Sequence, residues 1–281
     1  MLINSFQPDW QSDLNRRHEA LPHGARLVLL IDAAFSPKIF RQLGSTCNPI
    51  LLFELLPACS KEAKDVSPFV VSFDPTDKSL VRLLALCSGW PMLSVLTTYE
   101  SAEQLAKRLA AWCIVEVDGQ NFNFRFPDTR RLPVIFETLI QQQRREMIGN
   151  TIEWHYISRD GSWSSLPVEP WTFPLPISDK ATLEQSQFGK LLTDSEPDEM
   201  WVQLLDRGVR THLLPSQRHA VLSYALHVAD KDGLDDLSQI AWCMDCIEKS
   251  CQSDLEALRS RLAEWKVENF RSENEAIYRA A

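Results

Sequence analysis

Glycine is scarce in this 281-residue chain, with only nine residues, and none falls in a Gly-x-Gly-x-x-Gly or Walker lysine pattern. Loops that cradle nucleotide phosphates with backbone N–H groups are therefore not expected. A Gly-x-Ser-x-Gly elbow is also missing, and Gly161-Ser162-Trp163 lacks its flanking pattern, so the hydrolase nucleophile of that kind has no seat. No apolar run is long enough to span a bilayer, and the start MLINSFQPDW lacks the basic residues and continuous apolar stretch of a secretory signal. Neither membrane insertion nor export by that route is expected. Basic charge is in deficit, 29 Lys+Arg against 38 Asp+Glu for a net charge of −9. A surface that neutralises phosphates needs the reverse balance, so no general nucleic-acid partner is expected.

Metal and redox signatures are equally thin. The seven cysteines (Cys47, Cys59, Cys87, Cys113, Cys243, Cys246, Cys251) are odd in number, dispersed and mostly in apolar surroundings. That pattern suits reduced thiols in a cytoplasmic protein better than a disulfide framework. Cys243-x2-Cys246-x4-Cys251 is the nearest approach to a zinc motif, but no second pair or suitably spaced His follows it. Asp230-x-Asp232-Gly233-x-Asp235 resembles a calcium loop only superficially. Its Gly is fourth instead of sixth, and Ala241 stands where a bidentate Glu is needed, so a helix-helix turn is expected there. His219 and His227 lie eight apart on one expected helix, too far to share an ion without a further ligand. The composition thus implies no metal and no cofactor.

Proline marks the organisation. Four of the sixteen prolines (Pro167, Pro170, Pro174, Pro176) fall within 167–176, and none follows Pro215. Such a stretch propagates neither helix nor central strand, and it reads as a stiff linker between two domains. Residues 1–166 carry 17 basic and 18 acidic residues, net −1, whereas 167–281 carry 12 and 20, net −8. The expected fold is α+β: an N-terminal α/β lobe with a mixed sheet (1–166), the linker (167–176), and an all-helical lobe (177–281).

In the first lobe, apolar runs at Leu27–Ile31, Ile50–Phe53, Phe69–Phe73 and Met92–Thr98 have strand length. Helical stretches are expected near Pro37–Leu43, at Lys78–Cys87 and after Ser101, where Ser101-x-x-Gln104 forms a capping box. Ile114–Val117, Asp118-Gly119 and Asn121–Phe126 form a hairpin pattern, since Asp-Gly accepts the positive φ of a tight turn. A helix over Leu132–Gln143 and a strand over Thr151–Ile157 complete the lobe. In the second, helices are expected from Ser195-Glu196-Pro197 to Gly208, over Pro215–Ala229 and Asp236–Lys249, and from a capping box at Ser253-x-x-Glu256.

Two clusters are candidate sites. Phe124-Arg125-Phe126-Pro127-Asp128-Thr129-Arg130-Arg131-Leu132 closes the hairpin and opens a helix. Arginine pairs bidentately with carboxylates, so Arg125, Asp128 and Arg130 are expected to form a network with Asp32 at the end of the first strand. An ion-paired structural corner is favoured over an anion-binding or catalytic site, because charge networks are often structural. Trp154, Trp163, Trp171 and Phe173 gather around the domain boundary. They either glue two lobes together or line a cleft for a partner segment.

These residues resemble a family. The order Leu29-Leu30-Ile31-Asp32-Ala33-Ala34, Pro49-Ile50-Leu51-Leu52-Phe53-Glu54, Pro68-Phe69-Val70-Val71, the Leu105–Trp112 helix, Asp118-Gly119 and then Phe124-Arg125-Phe126-x-Asp128-x-Arg130-x-Leu132 is similar to the effector adaptor or chaperone family of bacterial type VI secretion. That family was long catalogued as a domain of unknown function. Its signature reads approximately Phe-Arg-Phe-Tyr-Asp-Pro-Arg-Val-Leu. Here the Arg, Asp and Arg are kept, with Pro127, Thr129 and Arg131 replacing Tyr, Pro and Val. The resemblance covers roughly residues 25–157. It implies a cytoplasmic, non-enzymatic adaptor that binds a secreted effector and helps load it onto the valine-glycine-repeat spike protein (VgrG). The aromatic residues Trp163, Trp171 and Phe173, with one face of the acidic lobe, are the expected effector grip. Two other readings stay open: an immunity protein that blocks a toxin, and a small hydrolase using Asp32, Arg125 and Asp128 in an open pocket.

Overall fold

An unbroken apolar strand needs cover on both faces, and the Leu27–Ile31 run has it. In the computed structural model, which describes residues 1–57, 59–169, 176–178 and 180–280 with side chains to residue 269, the chain divides into two compact units, Met1–Asp194 and Ser195–Ala281. The first contains α1 (Trp10–Glu19), β1 (Arg26–Ile31), β2 (Ile50–Leu51), α2 (Lys61–Asp65), β3 (Phe69–Ser72), α3 (Lys78–Leu86), β4 (Leu93–Thr98) and α4 (Ala102–Ala110). It continues with β5 (Ile114–Val117), β6 (Gln120–Asn123), α5 (Leu132–Thr138), α6 (Gln141–Ile148), β7 (Thr151–Ile157), β8 (Trp163–Ser165) and β9 (Ala181–Thr182). After the long helix α7 (Gln185–Asp206), the second unit holds α8 (Pro215–Lys231), α9 (Asp236–Glu248) and α10 (Leu255–Ala280).

The large sheet has the order β2-β3-β1-β4-β7-β8, and its pairs are all antiparallel. β1 lies inside it, with Leu29 opposite Val71 on one side and Val95 on the other. Side chains alternate across a strand, so Val28 and Leu30 enter one core with Leu105, Leu109 and Trp154, while Leu27, Leu29 and Ile31 enter another with Leu14, Leu80 and Leu83. A smaller sheet, β6-β5-β9, is mixed, because β9 runs parallel to β5. The Asp118-Gly119 turn has positive φ at both residues, 48° and 78°, as a two-residue hairpin requires.

The helical second unit packs Trp242, Cys243, Cys246 and Ile247 of α9 against Leu222, Ala225 and Ala229 of α8 and Leu258, Leu262 and Trp265 of α10. The Trp242 indole N–H finds the carbonyl of Ala225 at 3.1 Å, so this large residue is buried with its polar atom satisfied. The Asp230–Asp235 stretch is a helix-helix turn, with Gly233 at φ 70° and Asp235 capping α9 through Ser238.

Several boundaries differ from those the sequence suggests. The division between units falls inside α7, beyond the expected join at 167–176. Residues 181–194 stay with the first unit because β9 pairs with β5, and because Phe188 and Leu191 pack on its core. Of the proline-rich join itself, residues 170–175 lie outside the described residues. Ser195-Glu196-Pro197 does not open a helix. α7 starts ten residues earlier and runs through Pro197, and the Ser195 hydroxyl donates to Glu199 instead of capping. The cap of α10 is Asp254, whose carboxylate accepts the Ala257 N–H, one residue later than the expected Ser253. The Leu132–Gln143 helix breaks in two at Leu139 and Ile140, which are extended. Gln143 bonds back to the Ile140 N–H and starts α6.

Candidate functional site

Asp32 ends β1 and caps the 3-10 turn Ala33–Phe35, accepting the Ala34 N–H at 3.0 Å. Its backbone N–H donates to Met92, and the neighbouring carbonyl, Pro91, accepts the N–H of Thr129. The loop after β6 is thereby docked on the β1–β4 end of the large sheet. Within that loop the Asp128 carbonyl accepts N–H groups from Arg131 and Leu132, which starts α5.

The expected network resolves into two pairs side by side. Arg125 donates to Asp32 Oδ2 at 2.9 Å, and Arg130 grips Asp128 bidentately, Nε to Oδ1 at 3.0 Å and Nη2 to Oδ2 at 2.7 Å. Phe35 joins them: the guanidinium carbons of Arg125 and Arg130 lie 5.1 and 5.6 Å from its ring centre, and it stacks on Trp90. Asp32 is wholly buried, Asp128 nearly so, and Arg125 is 43% exposed. Burial pushes the Asp32 carboxyl up from its usual range, an effect that Arg125 partly offsets.

A pocket of about 200 Å³ opens beside this corner, bordered by Asp32, Arg125, Phe53, Cys113, Asn123 and Pro127. Cys113 is the one thiol on it, and burial raises its pKa, which keeps it protonated and a weak nucleophile. A second pocket of about 320 Å³ adjoins, sharing Phe53 and Asn123 and adding Leu56, Ile114 and Asn121.

The aromatic candidates part company. Trp163 sits in β8, half-buried against the second core, with its indole N–H on the Trp10 carbonyl at 3.1 Å and Arg17 over its ring. Trp171 and Phe173 lie outside the described residues. Trp154 is fully buried in the first core, edge-on to Phe126. Cys243 and Cys246 lie inside the helical unit, where burial raises both thiols. Among the described residues no group of three metal-ligating side chains comes together.

One polar device escapes a reading of motifs. Arg108 of α4 and Glu100 form a pair that is 4% and 6% exposed, with the Arg108 Nε and Nη2 atoms both on the carboxylate and Nη1 on the Glu146 carbonyl. Gly149, at φ 54°, packs so closely that a Cβ there would lie 2.1 Å from Arg108 Nε. The signal was present, since Arg108 follows Leu105 by three and precedes Trp112 by four, which sets a charge on the apolar stripe.

The fold and its corner define an α+β protein with a charge-locked strand-loop-helix junction. Over residues 27–146, under half of the chain, it matches the model of a domain of unknown function, DUF4123. That match spans both Asp32 and the Phe124–Leu132 loop. No curated protein and no solved structure gives a match.

Proposed function

We propose that this chain is a protein-binding adaptor of the type VI secretion kind, which holds an effector in the cytoplasm and promotes its loading onto the VgrG spike. The observation that carries this reading is the family-model match over 27–146, which lies within the span of the adaptor resemblance and includes its motifs. A non-enzymatic role is supported by the engagement of the corner's charges with one another. Asp32 is spent on Arg125 and the turn, Asp128 on Arg130, and the neighbouring thiol is held protonated. A surface held this rigidly offers a fixed shape for a partner, at little ordering cost on binding.

The test is co-purification. The chain should retain an effector encoded beside it, and the pair together should retain VgrG. If the chain binds no such effector, or binds the toxin and blocks its activity while delivery proceeds without it, the adaptor reading is wrong. The aromatic grip has its own test: a complex unchanged by Trp171→Ala with Phe173→Ala excludes that segment.

A further inference from the structure

β6 is the outer strand of the small sheet. Phe124 N–H donates to Cys113 O across the hairpin, and the two-residue turn closes at Val117 and Gln120. Bonded and unbonded pairs alternate along an antiparallel ladder, so the N–H and C=O groups of Asn121 and Asn123 point away from β5. Among the described residues nothing pairs with that edge, and an edge of this kind is a template for a further strand.

The two adjoining pockets run beside this edge. Their apolar lining includes Phe53, Leu56 and Ile114, the last 41% exposed. Period two along β6 and the two residues that follow it places Asn121, Asn123 and Arg125 on one side of the chain, and each borders a pocket. Of the charged residues bordering the pockets, Asp32 is wholly buried and paired, which leaves Arg125 as the exposed charge. Among the described residues the Arg125 guanidinium donates one hydrogen bond, to Asp32, while Phe35 supports its face. The rest of the guanidinium fork is open, and it matches a carboxylate.

We infer that the β6 edge and its groove bind an extended polypeptide segment of a partner, added as a strand beside Asn121–Asn123, with an Asp or Glu side chain on Arg125 and apolar neighbours on Phe53, Leu56 and Ile114. This rests on the protein-binding reading above, and it adds the chemistry of the bound segment. Strand addition supplies affinity through the backbone, and Arg125 supplies selectivity.

The probe is a set of N-acetylated, C-amidated peptides of alternating Thr and Val, about seven residues long to match an ordinary strand, with one central Asp, beside the same set carrying Asn. In these the side chain is the sole carboxylate. The Asp peptides should bind the full chain roughly tenfold more tightly, the worth of one charge-assisted hydrogen bond, and should protect the amides of Asn121 and Asn123 from hydrogen exchange. Asn121→Pro removes an outward N–H without breaking the β5–β6 ladder, so it should abolish binding with an unchanged circular dichroism spectrum. Arg125→Gln should erase the preference for Asp, and the Asp-to-Asn comparison keeps the test decisive if that variant unfolds. Equal affinity for both peptide sets, absence of protection at β6, binding that survives Asn121→Pro, or pairing of two copies through β6 would each overturn the inference. Effector co-purification with Asn121→Pro separates the two proposals. An effector held as well as by the unaltered chain defeats the groove and leaves the adaptor. Peptides that bind as described to a chain holding no effector defeat the adaptor and leave the groove.

Discussion

The sheet unit buries charge, and the helical unit buries almost none. Asp32, Glu100, Arg108 and Asp128 are all nearly or wholly hidden in the first, whereas the buried side chains described beyond Ser195 are all apolar. Net charge runs the other way: Met1–Asp194 carries 19 basic and 22 acidic residues, net −3, and Ser195–Ala281 carries 10 and 16, net −6. In the helical unit the ions stay near the surface, as in the cluster of Arg261 with Asp245 and Glu268. Buried pairs fix direction more than they add stability, because desolvation offsets most of their attraction. The first unit therefore spends polar groups on holding loops at fixed angles around its sheet. The second relies on apolar stripes, which leave its surface charges free to differ without disturbing the core.

Trp242→Ala should cost the helical unit about 3–5 kcal/mol, as core truncations of that size do, measured by denaturant unfolding. Arg108→Met should cost the sheet unit a similar amount, about 3–5 kcal/mol, by leaving Glu100 buried and unpaired. The two losses differ in kind, and a double variant exposes it. Arg108→Met with Glu100→Leu should recover most of the stability, because an apolar pair of similar volume replaces both ions. If the double variant is as unstable as the single one, the charges are not the cause.

Arg125→Gln is smaller and depends on pH. Because Arg125 is partly exposed, the loss should be about 1–2 kcal/mol at neutral pH. Burial raises the Asp32 pKa even with Arg125 present, and removing Arg125 raises it further. A group with a raised folded pKa gives its full stability when protonated and loses it as pH rises through that pKa. The deficit of the variant should therefore be greatest near neutrality and shrink as pH falls into the ordinary carboxylate range. A deficit that grows on acidification would contradict the assignment. At the other end of the scale, Lys249→Ala removes an exposed partner of Asp245 and should leave the thermal midpoint unchanged within error.

Much of this was legible in the sequence, for identifiable reasons. Leu27–Ile31 is continuous because it is covered on both faces, and Ile114–Val117 alternates because only one of its faces is buried, so both strands are legible nearly to the residue. Ser101 and Gln104 make both bonds of the capping box that their spacing implies. The Asp32, Arg125, Asp128 and Arg130 side chains do meet at one corner, because order along the chain placed a strand end beside a hairpin exit. Tertiary packing hid the rest. Phe188 and Leu191 anchor α7 to the first core and carry it through a proline that would otherwise mark a helix start. Phe35, which carries both arginines on its ring, and Trp90, which stacks on Phe35, lie far in sequence from the Phe124–Leu132 loop and carry no local signature. The β6 edge is legible as half of a hairpin, but that no described strand lies outside it depends on sheet order.

On the proposed adaptor role, this chain would deliver a partner and would not act on a substrate of its own. Its most direct test removes the gene from a cell with a working type VI apparatus, then measures both release of the neighbouring effector and survival of the producing cell. Release should stop while the producer stays viable, and the intact chain should restore release. Undiminished release, or death of the producer from its own toxin, would contradict it.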